Sequence, residues 1–80
     1  MAGSRLMAQG IDRRRAILRF VRAYVKKHGF APSIAEVAEG VGLASKTAVR
    51  YHLETLRREG WVSWVDGKYR SLQVTKSGRY

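Results

Sequence analysis

Apolar residues recur at helical spacing between Asp12 and His28: Ile17, Leu18, Val21, Tyr24 and Val25 form one stripe, with Phe20 beside it. Asp12 is a suitable N-cap and Gly29 a suitable stop, so the pattern predicts a first helix over 12–28. Met1 to Gly10 is small and polar and reads as a loose arm, with order beginning near Ile11. Ala31-Pro32 interrupts the chain, and Ser33-Ile34-Ala35-Glu36 has the form of a capping box, in which the serine takes the N3 amide and Glu36 reaches back. A second helix is expected from Ile34, with Val37, Ala38 and Val41 on its apolar face. Gly40 and Gly42 end it, since either takes a left-handed conformation at little cost. Leu43 fills the corner. Ser45 then caps a third helix over 46–59, in which Val49, His52, Leu53 and Leu56 share one side and Gly60 is the stop.

Beyond Gly60 the period changes to two. Val62, Trp64, Leu72 and Val74 face one way and Ser63, Ser71 and Gln73 the other, with Asp66-Gly67 as the hairpin turn. A hairpin this small is marginal alone, so its apolar face is expected to pack on helices 1 and 3. The expected architecture is α+β, mainly α: an arm over 1–10, one domain over 11–75 with three helices and a C-terminal two-stranded β-hairpin wing, and a tail over 76–80. Eighty residues leave room for one small domain.

Charge changes the picture. Sixteen Lys and Arg stand against six Asp and Glu, a formal net charge of +10. Such an excess repels itself in the compact state, and a polyanionic partner relieves it. With no cysteine there is no disulfide framework or thiolate metal site, and His28 and His52 are too far apart in the chain for a local metal pair. No cofactor or metal is expected. No apolar run approaches the roughly 20 residues that span a bilayer, and the N-terminal stretch lacks the apolar centre of a secretory signal. The expected location is cytoplasmic, at the nucleoid.

The two short helices joined by a tight glycine turn point to duplex DNA as the partner. The outer side of helix 3 carries Thr47, Arg50, Tyr51, Glu54, Arg57 and Arg58, a mixed donor and acceptor face of the size that enters a major groove. Arg50 is the leading base reader, because arginine pairs in bidentate fashion with guanine O6 and N7. Ser45, Lys46 and Thr47 at the helix start offer free amides and positive dipole to a phosphate. Glu54 reads first as a helical ion-pair partner of Arg50, Arg57 or Arg58. Arg13, Arg14 and Arg15, placed in a first turn where cations are disfavoured, read as phosphate contacts, whereas Lys26, Lys27 and His28 sit where the dipole favours them. Lys68, Tyr69 and Arg70 crown the wing, within reach of the backbone or the adjoining minor groove. His52 is assigned to packing at the edge of the core, and Trp61 to partial burial.

The run Gly29-Phe30-Ala31-Pro32-Ser33-Ile34-Ala35-Glu36-Val37-Ala38, followed by Val41-Gly42-Leu43, Ser45, His52-Leu53, Leu56 and Gly60-Trp61-Val62, resembles the N-terminal DNA-binding domain of the LexA family of SOS repressors. The likeness runs from about Asp12 to Val74. It implies a winged helix-turn-helix fold, operator binding and repression of transcription. It also carries base or phosphate contact onto Ser45, Thr47, Ala48, Arg50 and Tyr51, and wing contact onto Arg70. Where that family commonly has proline after the capping serine, this chain has Lys46, and Thr47, Arg50 and Tyr51 are an unfamiliar reading set. The family's operator sequence is therefore not carried over. The sequence ends at Tyr80, ahead of the place of the family's self-cleaving peptidase domain, and its Ala-Gly pair is Ala2-Gly3. Release by cleavage is accordingly expected to be absent, and the state in solution a monomer or weak homodimer that pairs on two half-sites about one helical turn apart.

The expected DNA-binding residues are thus Arg13, Arg14, Ser45, Lys46, Thr47, Ala48, Arg50, Tyr51, Arg58, Lys68 and Arg70. The alternative is a winged-helix protein-interaction module with incidental DNA affinity, using Trp61, Trp64 and Tyr69. A peripheral membrane role for helix 1 competes with the need of so small a core for that helix's apolar face. No paired carboxylate, activated nucleophile or phosphate-binding glycine loop suggests an enzyme.

Overall fold

A computed structural model describes the backbone from Ala2 to Tyr80 and the side chains from Gly10 onward. Among these residues the elements are α1 (Ala2–His28), α2 (Ile34–Gly40), α3 (Lys46–Arg58), β1 (Val62–Ser63) and β2 (Gln73–Val74). This is the winged helix-turn-helix arrangement: α2 and α3 form the helix-turn-helix, α1 backs them, and the antiparallel pair is the wing.

Three local signals act as the sequence led us to expect. Ser33 Oγ accepts from Glu36 N at 3.1 Å while Glu36 Oε1 accepts from Ser33 N at 2.7 Å, a complete capping box at the start of α2. Ser45 Oγ accepts from Ala48 N at 3.2 Å and starts α3. Gly42 turns between the two helices at φ 71, which an L side chain rarely adopts.

The start of α1 differs. The helix begins at Ala2, so Asp12 lies well inside it and caps nothing; its carboxylate instead meets Arg15 at 3.7 Å, one turn on. Helix formers such as Ala, Leu, Met, Gln and Arg fill residues 4–9 and propagate the helix through Gly10, which outweighs a capping preference at Asp12. Arg13, Arg14 and Arg15 are therefore not in a first turn, and the dipole argument for them lapses. The backbone of residues 2–10, expected as part of a loose arm over 1–10, belongs to this helix, whereas Met1 and the side chains of residues 2–9 lie outside the described residues.

One core joins the elements. Ile17, Leu18 and Val21 of α1, Val37 and Ala38 of α2, and Val49, Leu53 and Leu56 of α3 are buried together with Ala31, Val62 and Leu72. Tyr24 is half-buried, but Val25, expected on the same stripe, remains 41% exposed beside the wing.

In the wing, Val62 pairs with Val74 and Ser63 with Gln73. The inward and outward alternation holds, with Val62 and Leu72 buried, Trp64 and Val74 half-buried, and Ser63 and Gln73 exposed. The turn also falls at Asp66-Gly67, where Lys68 N donates to Val65 O at 3.0 Å and Gly67 takes φ 78. The ladder is shorter than a full hairpin because Arg70 adopts φ 58, outside extended backbone. Ser71 takes over there. Its hydroxyl accepts from Val65 N at 3.0 Å and donates to Val65 O at 3.1 Å, in place of ladder bonds.

Residues 75–80 are fastened to the body. Thr75 Oγ1 donates to Gly60 O at 2.7 Å, Arg22 donates to Lys76 O at 2.9 Å, and Arg15 donates to Tyr80 O at 3.2 Å. The Tyr80 ring packs edge-on against Trp61, with ring centres 5.4 Å apart.

Candidate nucleic-acid interface

Burial of Val49, Leu53 and Leu56 fixes which way the rest of α3 points. Successive side chains step by about 100°, so a buried i, i+4, i+7 stripe turns the intervening positions outward. Thr47, Arg50, Tyr51, Glu54 and Arg58 are exposed together, Tyr51 to 65%. Ala48 is half-buried at the helix start. The amides of Lys46 and Thr47 precede any intrahelical acceptor and lie with the exposed Lys46 side chain at the start of α3.

Between α3, the start of α2 and the wing runs a groove of about 540 Å³, bordered by Ser33, Lys46, Arg50, Trp64 and Lys68. Lys68 and Tyr69 are exposed at the wing tip. Arg57 lies 4.3 Å over the Trp64 ring and joins α3 to the wing, and Arg58 donates to Thr55 Oγ1 at 3.3 Å. The ion pair expected for Glu54 does not form. Among the described residues carboxylates pair with cations at Asp12–Arg15 and Glu36–Arg70, leaving the Glu54 carboxylate on the open face.

Three of the arginines expected on this surface are engaged within the protein. Arg13 donates to Val41 O at 3.3 Å, across the α1–α2 contact. Arg14 Nε donates to Tyr80 Oη at 2.7 Å, and its Nη1 approaches His52 Nδ1 at 3.4 Å. Tyr80 Oη in turn donates to Glu59 Oε1 at 2.6 Å, so Arg14, Tyr80 and Glu59 tie α1, the C-terminal segment and the end of α3 together. Burial, then the charges of Arg14 and Arg13, hold the His52 pKa below its usual 6.5, which suits a neutral ring accepting at Nδ1. Desolvation, reinforced by the Glu59 hydrogen bond, pushes the Tyr80 phenol up from its ordinary value.

Arg70 is turned away from the wing tip. Its Nη1 donates to Glu36 Oε1 at 2.7 Å, to Ala31 O at 2.9 Å and to the Tyr24 hydroxyl at 3.3 Å, and its Nη2 donates to Glu36 Oε2 at 3.2 Å. Its guanidinium also lies 4.9 Å from the Phe30 ring centre and 4.8 Å from that of Tyr69. The Arg70 hydrogen bonds, followed by the Ser33 amide, pull the Glu36 carboxyl down to about 2. Arg70, expected as a wing contact, ties the wing to the start of α2. No helix of the described residues is long and apolar enough to cross a membrane.

Sequence comparison agrees with this geometry. Residues 7–71 match the family of the LexA DNA binding domain. Among curated proteins the chain is similar to the LexA repressor of Shouchella clausii (strain KSM-K16), 38% identical over 72 residues, covering 90% of this chain and 35% of that protein. It is similar to the LexA repressor of Thermobifida fusca (strain YX), 33% identical over 63 residues, 79% of this chain and 25% of that one. It is also similar to the LexA repressor of Clostridium botulinum (strain Hall), 31% identical over 64 residues, 80% of this chain and 32% of that one. The chain matches about a third or less of the length of these relatives.

Proposed function

Because the chain belongs to the LexA DNA-binding domain family, we propose that it acts as a repressor-type transcriptional regulator that lays α3 in the major groove of duplex DNA. The observation that carries this reading is the joint exposure of Thr47, Arg50, Tyr51 and Glu54 over the buried Val49, Leu53 and Leu56. Arg50 reads a guanine, Thr47 and Tyr51 meet a thymine methyl or a phosphate, and Glu54 accepts from an amine. Ser45, Lys46 and Ala48 at the helix start, with Arg58 toward its end, hold the flanking backbone. Lys68 at the wing tip contacts the backbone beyond the groove.

Arg13, Arg14 and Arg70 support this surface from behind. Each already gives a donor to Val41, Tyr80 or Glu36, and breaking a charge-assisted hydrogen bond to make another gains little. One copy covers one half-site, and two copies on an inverted pair about one turn apart would double the contact. The site of action is the nucleoid.

Selection from random duplexes tests the reading. One enriched half-site, or an inverted pair, is expected, with binding that falls on a log–log salt slope near about −5 for six phosphate contacts. Absence of any enriched sequence together with a flat salt response would reject it. A second reading, a protein-interaction module, draws on exposed Phe30, Val65 and Tyr69 around the wing, 48%, 59% and 71% exposed. A saturable protein partner with salt-insensitive DNA binding would favour that module.

A further inference from the structure

One face of α1 carries a row of cations outside the α3 surface. Arg15, Arg19, Arg22 and Lys26 stand at i, i+4, i+7 and i+11 and line one groove of about 800 Å³ with Arg79 and Tyr80 of the C-terminal segment. A rise of 1.5 Å per residue spreads this row over roughly 16 Å along the helix. Each step sets two cations side by side at a spacing where like charges repel. Asp12 relieves Arg15 alone, at 3.7 Å, and no Asp or Glu side chain lines the groove.

The C-terminal segment completes this face. Arg22 and Arg15 hold the main chain at Lys76 and Tyr80 with bonds of 2.9 and 3.2 Å, and this brings Arg79 to the rim of the row. The two basic faces are distinct. Ile17, Leu18 and Val21 of α1 and Val49, Leu53 and Leu56 of α3 enter the same core, and the α1 groove shares no lining residue with the groove beside α3. Binding one duplex through α3 leaves the α1 row unneutralised.

We propose that Arg19, Lys26 and Arg79, exposed beside the internally engaged Arg15 and Arg22, form a second, sequence-independent site for the sugar-phosphate backbone of duplex DNA, so that one copy of the protein bridges two duplex segments. This rests on the α3 reading above. A row of cations spread over roughly 16 Å of helix spans several phosphates of a duplex strand, which succeed one another about every 3.4 Å along the axis. An acidic protein surface offers no such regular track. The body measures 26 and 23 Å across its shorter axes, which separates duplexes held at the two grooves.

The test tethers a duplex carrying the selected site, loads the 80-residue chain to saturation, and measures capture of a second, labelled duplex lacking that site. Capture is expected, and to fall steeply with salt. Arg19→Gln/Lys26→Gln, both exposed on α1, is expected to stay on the tethered duplex with affinity within about threefold of the parent while capture drops at least about tenfold. Arg19→Lys is expected to keep capture. Retained protein reports α3 and captured duplex reports α1, so the two readings fail separately. No capture by the parent, or capture undiminished in the double variant, as two self-associated copies would give, overturns the proposal. So does binding of polyglutamate to this face with no second duplex held.

Discussion

Arg70 grips Glu36 with both prongs of its guanidinium, at 2.7 and 3.2 Å, although 34 residues separate them. Glu36 is also the returning member of the α2 capping box, so one carboxylate fastens the wing to the start of the helix-turn-helix. The left-handed backbone of Arg70, φ 58, aims the side chain inward at the cost of the wing's ladder. Substituting Arg70→Ala should lower the thermal midpoint and raise amide exchange through residues 64–72. Arg70→Lys, a point charge without the fork, should recover only part of the loss. Unchanged exchange in both variants would mean that the wing is held by its apolar contacts.

Acid stability should register the same pair. The Glu36 carboxyl titrates at about 2 in the fold against 4.5 when free. Its contribution is therefore complete above pH 4.5 and is lost as pH falls toward 2. Unfolding measured by denaturant from pH 6 down to pH 2 should show a slope in that window which Glu36→Gln flattens.

His52 acts at higher pH with the same sign. Burial and the neighbouring Arg14 and Arg13 lower its pKa, so the folded state binds fewer protons than the unfolded one. The stability it contributes is complete above pH 6.5 and declines as pH drops below that value. His52→Gln, which keeps an acceptor for Arg14, should remove this decline. A decline identical in parent and variant would assign it to another group.

Base reading and backbone holding should separate by substitution. Arg50→Ala is expected to cost about 1–3 kcal/mol on the selected site and little on random duplex, whereas Lys68→Ala should weaken both alike and reduce the salt slope by about 1. Equal losses on both DNAs for Arg50→Ala would remove it as a base reader.

Gly40 is required for packing. A Cβ there would overlap the ring of Phe20, which is half-buried and packed against the core. Gly40→Ala should destabilise by about 1–3 kcal/mol, as overpacked cores do, despite the better helix propensity of alanine. Phe20→Leu should restore part of the loss in the double variant.

Capping serines, stop glycines and the apolar stripes of α2 and α3 were legible in the sequence, because each depends on neighbours within about four residues. The outward face of α3 followed from the same periodicity, and with it the candidate reading residues Thr47, Arg50 and Tyr51. The beginning of α1 was misplaced because continuous helix formers outweighed a local cap. The roles of Arg13, Arg14 and Arg70 were not visible at all: their partners Val41, Tyr80 and Glu36 lie 28, 66 and 34 residues away. A basic residue in a list of basic residues gives no sign of where its donors go. Short-range periodicity thus decided which helices form and which sides they bury. Only chain closure in three dimensions decided which cations stay open to a polyanion and which lock the body together, because a guanidinium binds whatever acceptor the fold brings within about 3 Å.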